Sequence, residues 1–436
     1  MNASTPPKPQ IPSPVQPRYE NLNRNALAVL FCLVFLILLY RMQAYVTVPF
    51  SALSRLALYG SLFVLVIMLR KGYQQLPLPL WALLVSVVLT ALHTALIAGP
   101  DIAFHATARF INVMLLVPFV ALMFMGERHM ARVFWIFWVV FLCAFASLLI
   151  QFWGWPLNTL VNNYIAIRGD LIRHMTVVGE PNVGGMLAVI AGVSSTMLVK
   201  HHSVAVLMGA LAVAFVTLSI SKAAMLGLGV AMIASVCLLR GEARKEALLR
   251  ALLAGLAGVL LLLLIGAGDY LRVSLDSLIG NIRGEPSAYK DFQYRQSRFG
   301  TMDVFDGSLL PAPLNYLFGA SFAEVGSATQ EIQGSGSDVV LPHNSYLELL
   351  LTGGAFMLSV VVFLMGRTYR TLWHSCAQGD NRVDRCVLVC FIVLTCWMLI
   401  YPVIYEPVTG CLFWIIVGYG NRVHNRPMPI TAVAQN

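Results

Sequence analysis

Apolar runs of 16 to 21 residues recur along most of this 436-residue chain, parted by short polar stretches. About 20 apolar residues in a helix cross a hydrocarbon core roughly 30 Å thick, and a helix satisfies its own backbone polar groups in lipid. That pattern admits little besides a bundle of membrane-spanning helices. With 58% of residues hydrophobic and only 11% charged, the one stretch long and polar enough to build something outside a bilayer is Gly268 to Asn344. The expected fold class is therefore an all-α polytopic membrane protein.

Spans are expected at 26–40, 52–69, 78–98, 108–125, 131–153, 183–199, 204–219, 223–239, 247–267, 345–366, 386–404 and 407–420, twelve in all. The interval Val204 to Leu239 is almost continuously apolar, broken only by "SISK" at Ser219 to Lys222. As one helix it would be about 54 Å long, so two spans joined by a tight turn are expected. Charge supports this parity. With both termini cytosolic, the inner segments carry 18 basic and six acidic residues, a balance of +12, and the outer ones −3. Such asymmetry follows the positive-inside rule, and fusing the seventh and eighth spans would invert it. The net charge of +9 thus reports topology and gives no reason to expect nucleic acid as a partner.

The segments flanking the spans are simple. Residues 1–25 hold six prolines and read as a disordered cytosolic tail, and 421–436 are expected as a cytosolic C-terminal tail. No small-residue cleavage site follows Ala26 to Tyr40, so that run is expected to be retained as a span. The eight cysteines all fall in expected spans or a cytosolic loop, show no metal spacing, and read as small hydrophobes. Residues 26–267 are then spans one to nine, 268–344 an outer loop with an amphipathic helix, and 345–420 spans ten to twelve.

Polar residues without an obvious structural task collect on the outer side. In "LPHNSYLELLLTGG", Leu341 to Gly354, Ser345 and Glu348 have the spacing of a capping box, which starts span ten at Ser345. His343 and Asn344 then precede an outward helix N-terminus, whose unpaired N–H groups favour anions and disfavour imidazolium. The plain alternative is an interfacial histidine. Ser287 to Asp306 reads as the amphipathic loop helix, with Arg295 beside Asp291 and Arg298 without an acid three or four residues away. Either arginine could equally be a solvent-facing cation. Lys222 sits at a turn between two spans, where it either faces a cavity or snorkels to headgroups. "IRGDLIRHMTVVGEPN", Ile167 to Asn182, adds Arg168, Arg173 and His174, with Asp170 as a partner for Arg173. Gly184 and Gly185 follow and would permit close helix packing. Together, several cations, a histidine and an outward helix end fit recognition of a phosphate-bearing lipid.

Four of these pieces resemble the O-antigen ligase and bacterial polysaccharide polymerase superfamily of integral membrane glycosyltransferases. They are "LPHNSYLELLLTGG", "SRFGTMDVFDGSLLPAPLNYLFGASF", "SISKAAMLGLG" and "GEPNVGGMLAV", within roughly residues 165–355. The resemblance implies a GT-C-like membrane fold with a large periplasmic loop between spans nine and ten, in a bacterial inner membrane. It implies a donor glycan on undecaprenyl pyrophosphate, an acceptor glycan, and no metal, cofactor or nucleotide sugar. By the same likeness His343 is the catalytic base and Arg298 holds the pyrophosphate. Lys222 stands where the family has an arginine, keeping the charge but losing the bidentate fork. Arg295, Arg168, Arg173 and Asn344 are expected as further pyrophosphate or glycan contacts. Partner proteins of the flippase and chain-length-regulator kind belong to such pathways. The function expected is a polymerase of lipid-linked repeat units. A ligase moving polymer onto a lipid A core is the alternative within the family, and a lipid-linked oligosaccharide flippase the alternative from another class. Against the flippase stand polar residues gathered at the outer rim, with no half-to-half repeat.

Overall fold

The computed structural model describes residues 78–98, 114–115, 117–124, 126–154, 166–168, 171–174, 176–283, 316–319, 344–378, 381–404 and 406–423. The N-terminal tail, the spans expected at 26–40 and 52–69, and the amphipathic helix expected at 287–306 lie outside them. The described chain is mostly helical. In order come α1 (Leu78–Ala98), α2 (Val117–Phe124), α3 (Glu127–Phe152), α4 (Pro181–Leu198), α5 (His202–Leu218) and α6 (Lys222–Leu238). Then follow α7 (Gly241–Leu264), α8 (Gly268–Ile282), α9 (Ser345–Gln378), α10 (Arg382–Trp397) and α11 (Pro407–Val423). The spans expected from residue 131 onward and at 78–98 each fall on one of these helices, while of the span expected at 108–125 the described part is chiefly α2, and 108–113 lie outside the described residues. By length and composition five described helices, α1, α3, α4, α7 and α9, can cross a membrane; α5, α6 and α11 are apolar but shorter. This is the make-up of a multi-pass helical membrane protein.

Helix α7 shows why the bundle belongs in lipid. Its buried residues are Arg250, Ala254, Gly258 and Leu262, four apart, the middle two small. Leu249, Leu252, Leu256, Leu260 and Leu263 lie exposed on another face. Small residues inside and leucine outside suit a solvent as apolar as leucine itself, where close packing and not hydrophobic exclusion joins helices. The buried face packs on α5, and Arg250 donates to the carbonyls of Thr196 (2.9 Å), Val199 (2.8 Å) and Lys200 (3.2 Å), closing the C-terminal end of α4. Those carbonyls have no intrahelical donor, so a neighbouring guanidinium supplies one.

Helix α4 is the hub, packed against α3, α5, α6 and α10 and buried nearly all round. Its glycines do what the sequence leads one to expect. A Cβ at Gly184 would lie 2.6 Å from Phe215 Cζ, and one at Gly185 2.7 Å from Ala224 Cβ. The turn between α5 and α6 is also as expected, confined to Ser219–Ser221, with Ile220 at φ 46°. At the bundle's other end, the Asp384 carboxylate of α10 accepts from Ser375 of α9 and Tyr419 of α11, and from Asn381 at 3.0 Å.

Four features depart from expectation. A short antiparallel hairpin, β1 (Ala166–Arg168) and β2 (Leu171–Arg173), interrupts the helical chain. Helix α8 stands where a loop was expected from Gly268 onward, and its Tyr270 and Ser274 donate to the Ile172 carbonyl (3.0 Å) and the Thr217 carbonyl (3.1 Å). Helix α9 runs on to Gln378, past the expected end at 366, and is broken at Gly354. Helix α10 stops at Trp397, earlier than the expected 404, because Pro402 and Pro407 bracket a turn.

Candidate functional site

The N-termini of α4, α6, α9 and α11 meet at one end of the bundle, tied together by the turn after α10. The backbone N–H of Ser345 donates to the Met398 carbonyl at 2.8 Å. The Ser345 hydroxyl donates to the Tyr401 carbonyl at 2.9 Å, and Asn344 Nδ2 to the Leu399 carbonyl at 3.2 Å. From the same turn, Tyr401 Oη donates to Glu180 Oε2 at 3.2 Å, just before α4. Two residues on, Asn182 Oδ1 accepts from the Ser221 hydroxyl at 2.9 Å, which reaches the turn bearing Lys222. Glu406 closes the set by accepting from the backbone N–H groups of Val408 (2.8 Å) and Thr409 (2.7 Å) at the start of α11.

Asn344 is the N-cap of α9: its Oδ1 accepts from the N–H groups of Tyr346 (2.9 Å) and Leu347 (3.1 Å). This corrects the expected Ser345–Glu348 capping box. The Ser345 hydroxyl is engaged by the 398–404 turn, and Glu348 is buried within the bundle at 1% exposure. The Asn344 side chain thus bonds both to the start of α9 and to the Leu399 carbonyl. Lys222 is the half-buried first residue of α6, directly after Ser221, whose hydroxyl caps the helix by accepting from Ala224 N–H at 3.2 Å. Arg168 and Arg173 stand on the hairpin, at register positions opposite Leu171 and Ala166. His343, Arg295, Arg298 and Asp170 lie outside the described residues.

His174 leaves the hairpin half-buried, and that burial pushes its pKa below the usual histidine value, favouring neutral imidazole. Burial likewise raises the pKa of the Tyr270 hydroxyl. Among the described residues no group of three or more His, Cys, Asp or Glu side chains gathers as a metal site would require.

A second contact joins two separate motifs. Tyr316–Phe318 form a helical turn ending at buried Gly319, and this segment docks on the break in α9. A Cβ at Gly319 would lie 2.3 Å from the Thr352 carbonyl oxygen, and one at Gly354 2.2 Å from the Leu317 carbonyl oxygen. Gly354 has φ 68° and ψ −171°, a region open only to glycine. The Tyr316–Gly319 segment is thus pinned, backbone on backbone, to the helix that Asn344 caps.

Glu180, Ser221 and Tyr401 are site residues that spacing alone did not single out. Tyr401 carried a usable signal, since it precedes Pro402 and so resists helix. Ser221 carried one too, as a serine just before an apolar run. No family model matches the chain, and comparison with characterised proteins finds no match.

Proposed function

We propose that this chain is a membrane glycosyltransferase that moves a glycan from undecaprenyl pyrophosphate to an acceptor glycan on the outer face of a bacterial inner membrane. One observation carries the reading. The segments bearing "GEPN", "SISK" and "HNSY", distant in sequence, are hydrogen-bonded into one cluster toward which helix N-termini converge. Helix N-termini carry partial positive charge, and with Lys222 among them they suit a pyrophosphate that gains negative charge as it leaves.

In this reading an acceptor hydroxyl attacks the anomeric carbon while the bond from that carbon to the pyrophosphate oxygen breaks. The hydroxyl proton passes to His343, directly before the helix cap Asn344, and the bond electrons leave with the pyrophosphate. Lys222 and Arg298 stabilise that anion, with Arg295, Arg168 and Arg173 as further cations. The polymerase reading leads and the ligase is its alternative; the donor and the base are the same in both.

The test is His343→Ala in the native host, with membrane expression confirmed, followed by measuring the length and membrane side of glycan left on undecaprenyl pyrophosphate. Single repeat units stranded outside mean a polymerase, and long polymer stranded outside means a ligase. Single units trapped on the cytosolic face mean a flippase. Normal surface polysaccharide removes His343 from the mechanism.

A further inference from the structure

Glu180 occupies the N-cap position of α4 yet makes no side-chain cap hydrogen bond. It turns instead to Tyr401, whose hydroxyl donates to Oε2 at 3.2 Å, while Oε1 engages no described residue. The other carboxylates at this end are committed differently. Glu406 caps α11, and Glu348 is enclosed by the bundle. Glu180 is half-buried, and among the described residues Tyr401 is its carboxylate's one hydrogen-bond partner and it forms no ion pair. Its surroundings also select what could satisfy it. Lys222 and the converging helix N-termini offset the carboxylate charge at this end, so an uncharged ligand leaves that balance intact. Neutral hydroxyl donors fit, since a carboxylate oxygen only accepts.

The position is held from both sides. The Tyr401 turn fixes the start of α9, and Asn182, two residues after Glu180, is held by Ser221. Glu180 therefore lies between the turn bearing Lys222 and the helix start next to His343. That is the interval a sugar ring must occupy if its anomeric carbon is to sit between leaving group and base. We propose that Glu180 binds sugar hydroxyls of the glycan substrate and that Tyr401 is the positioning residue for its carboxylate. This inference rests on the glycosyl-transfer reading.

The test uses full-length protein purified in detergent: wild type, Glu180→Gln and Tyr401→Phe. Calorimetry measures binding of two probes, the repeat-unit oligosaccharide released from the native host's lipid-linked pool, and undecaprenyl pyrophosphate carrying no sugar. A hydrogen bond to a charged group is worth enough that Glu180→Gln should weaken oligosaccharide binding about tenfold. Sugar-free lipid should bind unchanged. Tyr401→Phe should weaken the same probe by about threefold, because the carboxylate stays but loses its anchor. Oligosaccharide that still binds under saturating lipid pyrophosphate marks the acceptor sugar; oligosaccharide displaced by it marks the donor sugar. Equal weakening of both probes, or no change in either, overturns the inference. Wild type that binds the lipid and not the oligosaccharide overturns it while leaving the glycosyl-transfer reading standing. Wild type that binds neither probe overturns both.

Discussion

Asn344 takes the cap that spacing assigns to Ser345, and the physical reason is local. Either side chain could cap α9, but the serine hydroxyl is drawn to the turn after α10, where it donates to the Tyr401 carbonyl that also accepts from Val403 N–H at 2.9 Å. Asparagine is among the best caps, so the exchange costs little. Asn344→Ala should destabilise the protein by about 1 kcal/mol, read as a lower melting temperature in detergent. His174 gives a pH signature with a definite sign. Burial lowers its folded pKa, so protonation favours the unfolded chain. Its contribution is complete above the ordinary value of 6.5 and is lost as pH falls from there through the folded pKa. The difference in melting temperature between wild type and His174→Gln should therefore be constant above pH 6.5 and change below it. A difference that stays flat down to pH 5 would sink this assignment.

At the level of elements, the break in α9 matters most. Gly354 lets the outer segment of the helix change direction, and the Leu317–Gly319 backbone fills the space so made. Gly354→Ala combines a forbidden backbone conformation with a clash, and should cost at least about 2 kcal/mol. Gly366→Ala is the matched control in the same helix. A Cβ there meets nothing within 4 Å, and it should be neutral or stabilising by up to about 1 kcal/mol. Thermal melts of the two variants in one detergent check both numbers. Equal melting temperatures would mean that the loop contact bears no load. Helix α8 shows a different lesson. Its sequence reads as a loop because its polar residues are scattered, yet Tyr270 and Ser274 find carbonyl acceptors only after the hairpin and α5 are in place.

For the whole molecule the sharpest prediction concerns orientation. Asp269, at the start of α8, and Glu242, at the start of α7, are exposed at opposite ends of α7. In a cysteine-free background, Asp269→Cys in cells with a permeabilised outer membrane should react with an impermeant maleimide, and Glu242→Cys only once the inner membrane is opened. The reverse pattern would turn the site toward the cytosol and exclude a periplasmic donor.

Most helices were legible without packing, because bilayer thickness acts on each apolar segment separately. The turn at Ser219–Ser221 follows from length alone, and the close approach at Gly184 and Gly185 follows from residue size. The joining of Glu180 to Tyr401, of Asn182 to Ser221, and of Gly319 to Gly354 did not follow from any local rule. These partners lie far apart in the chain. A carbonyl left bare by a helix end selects its donor only among groups that the folded bundle brings within reach.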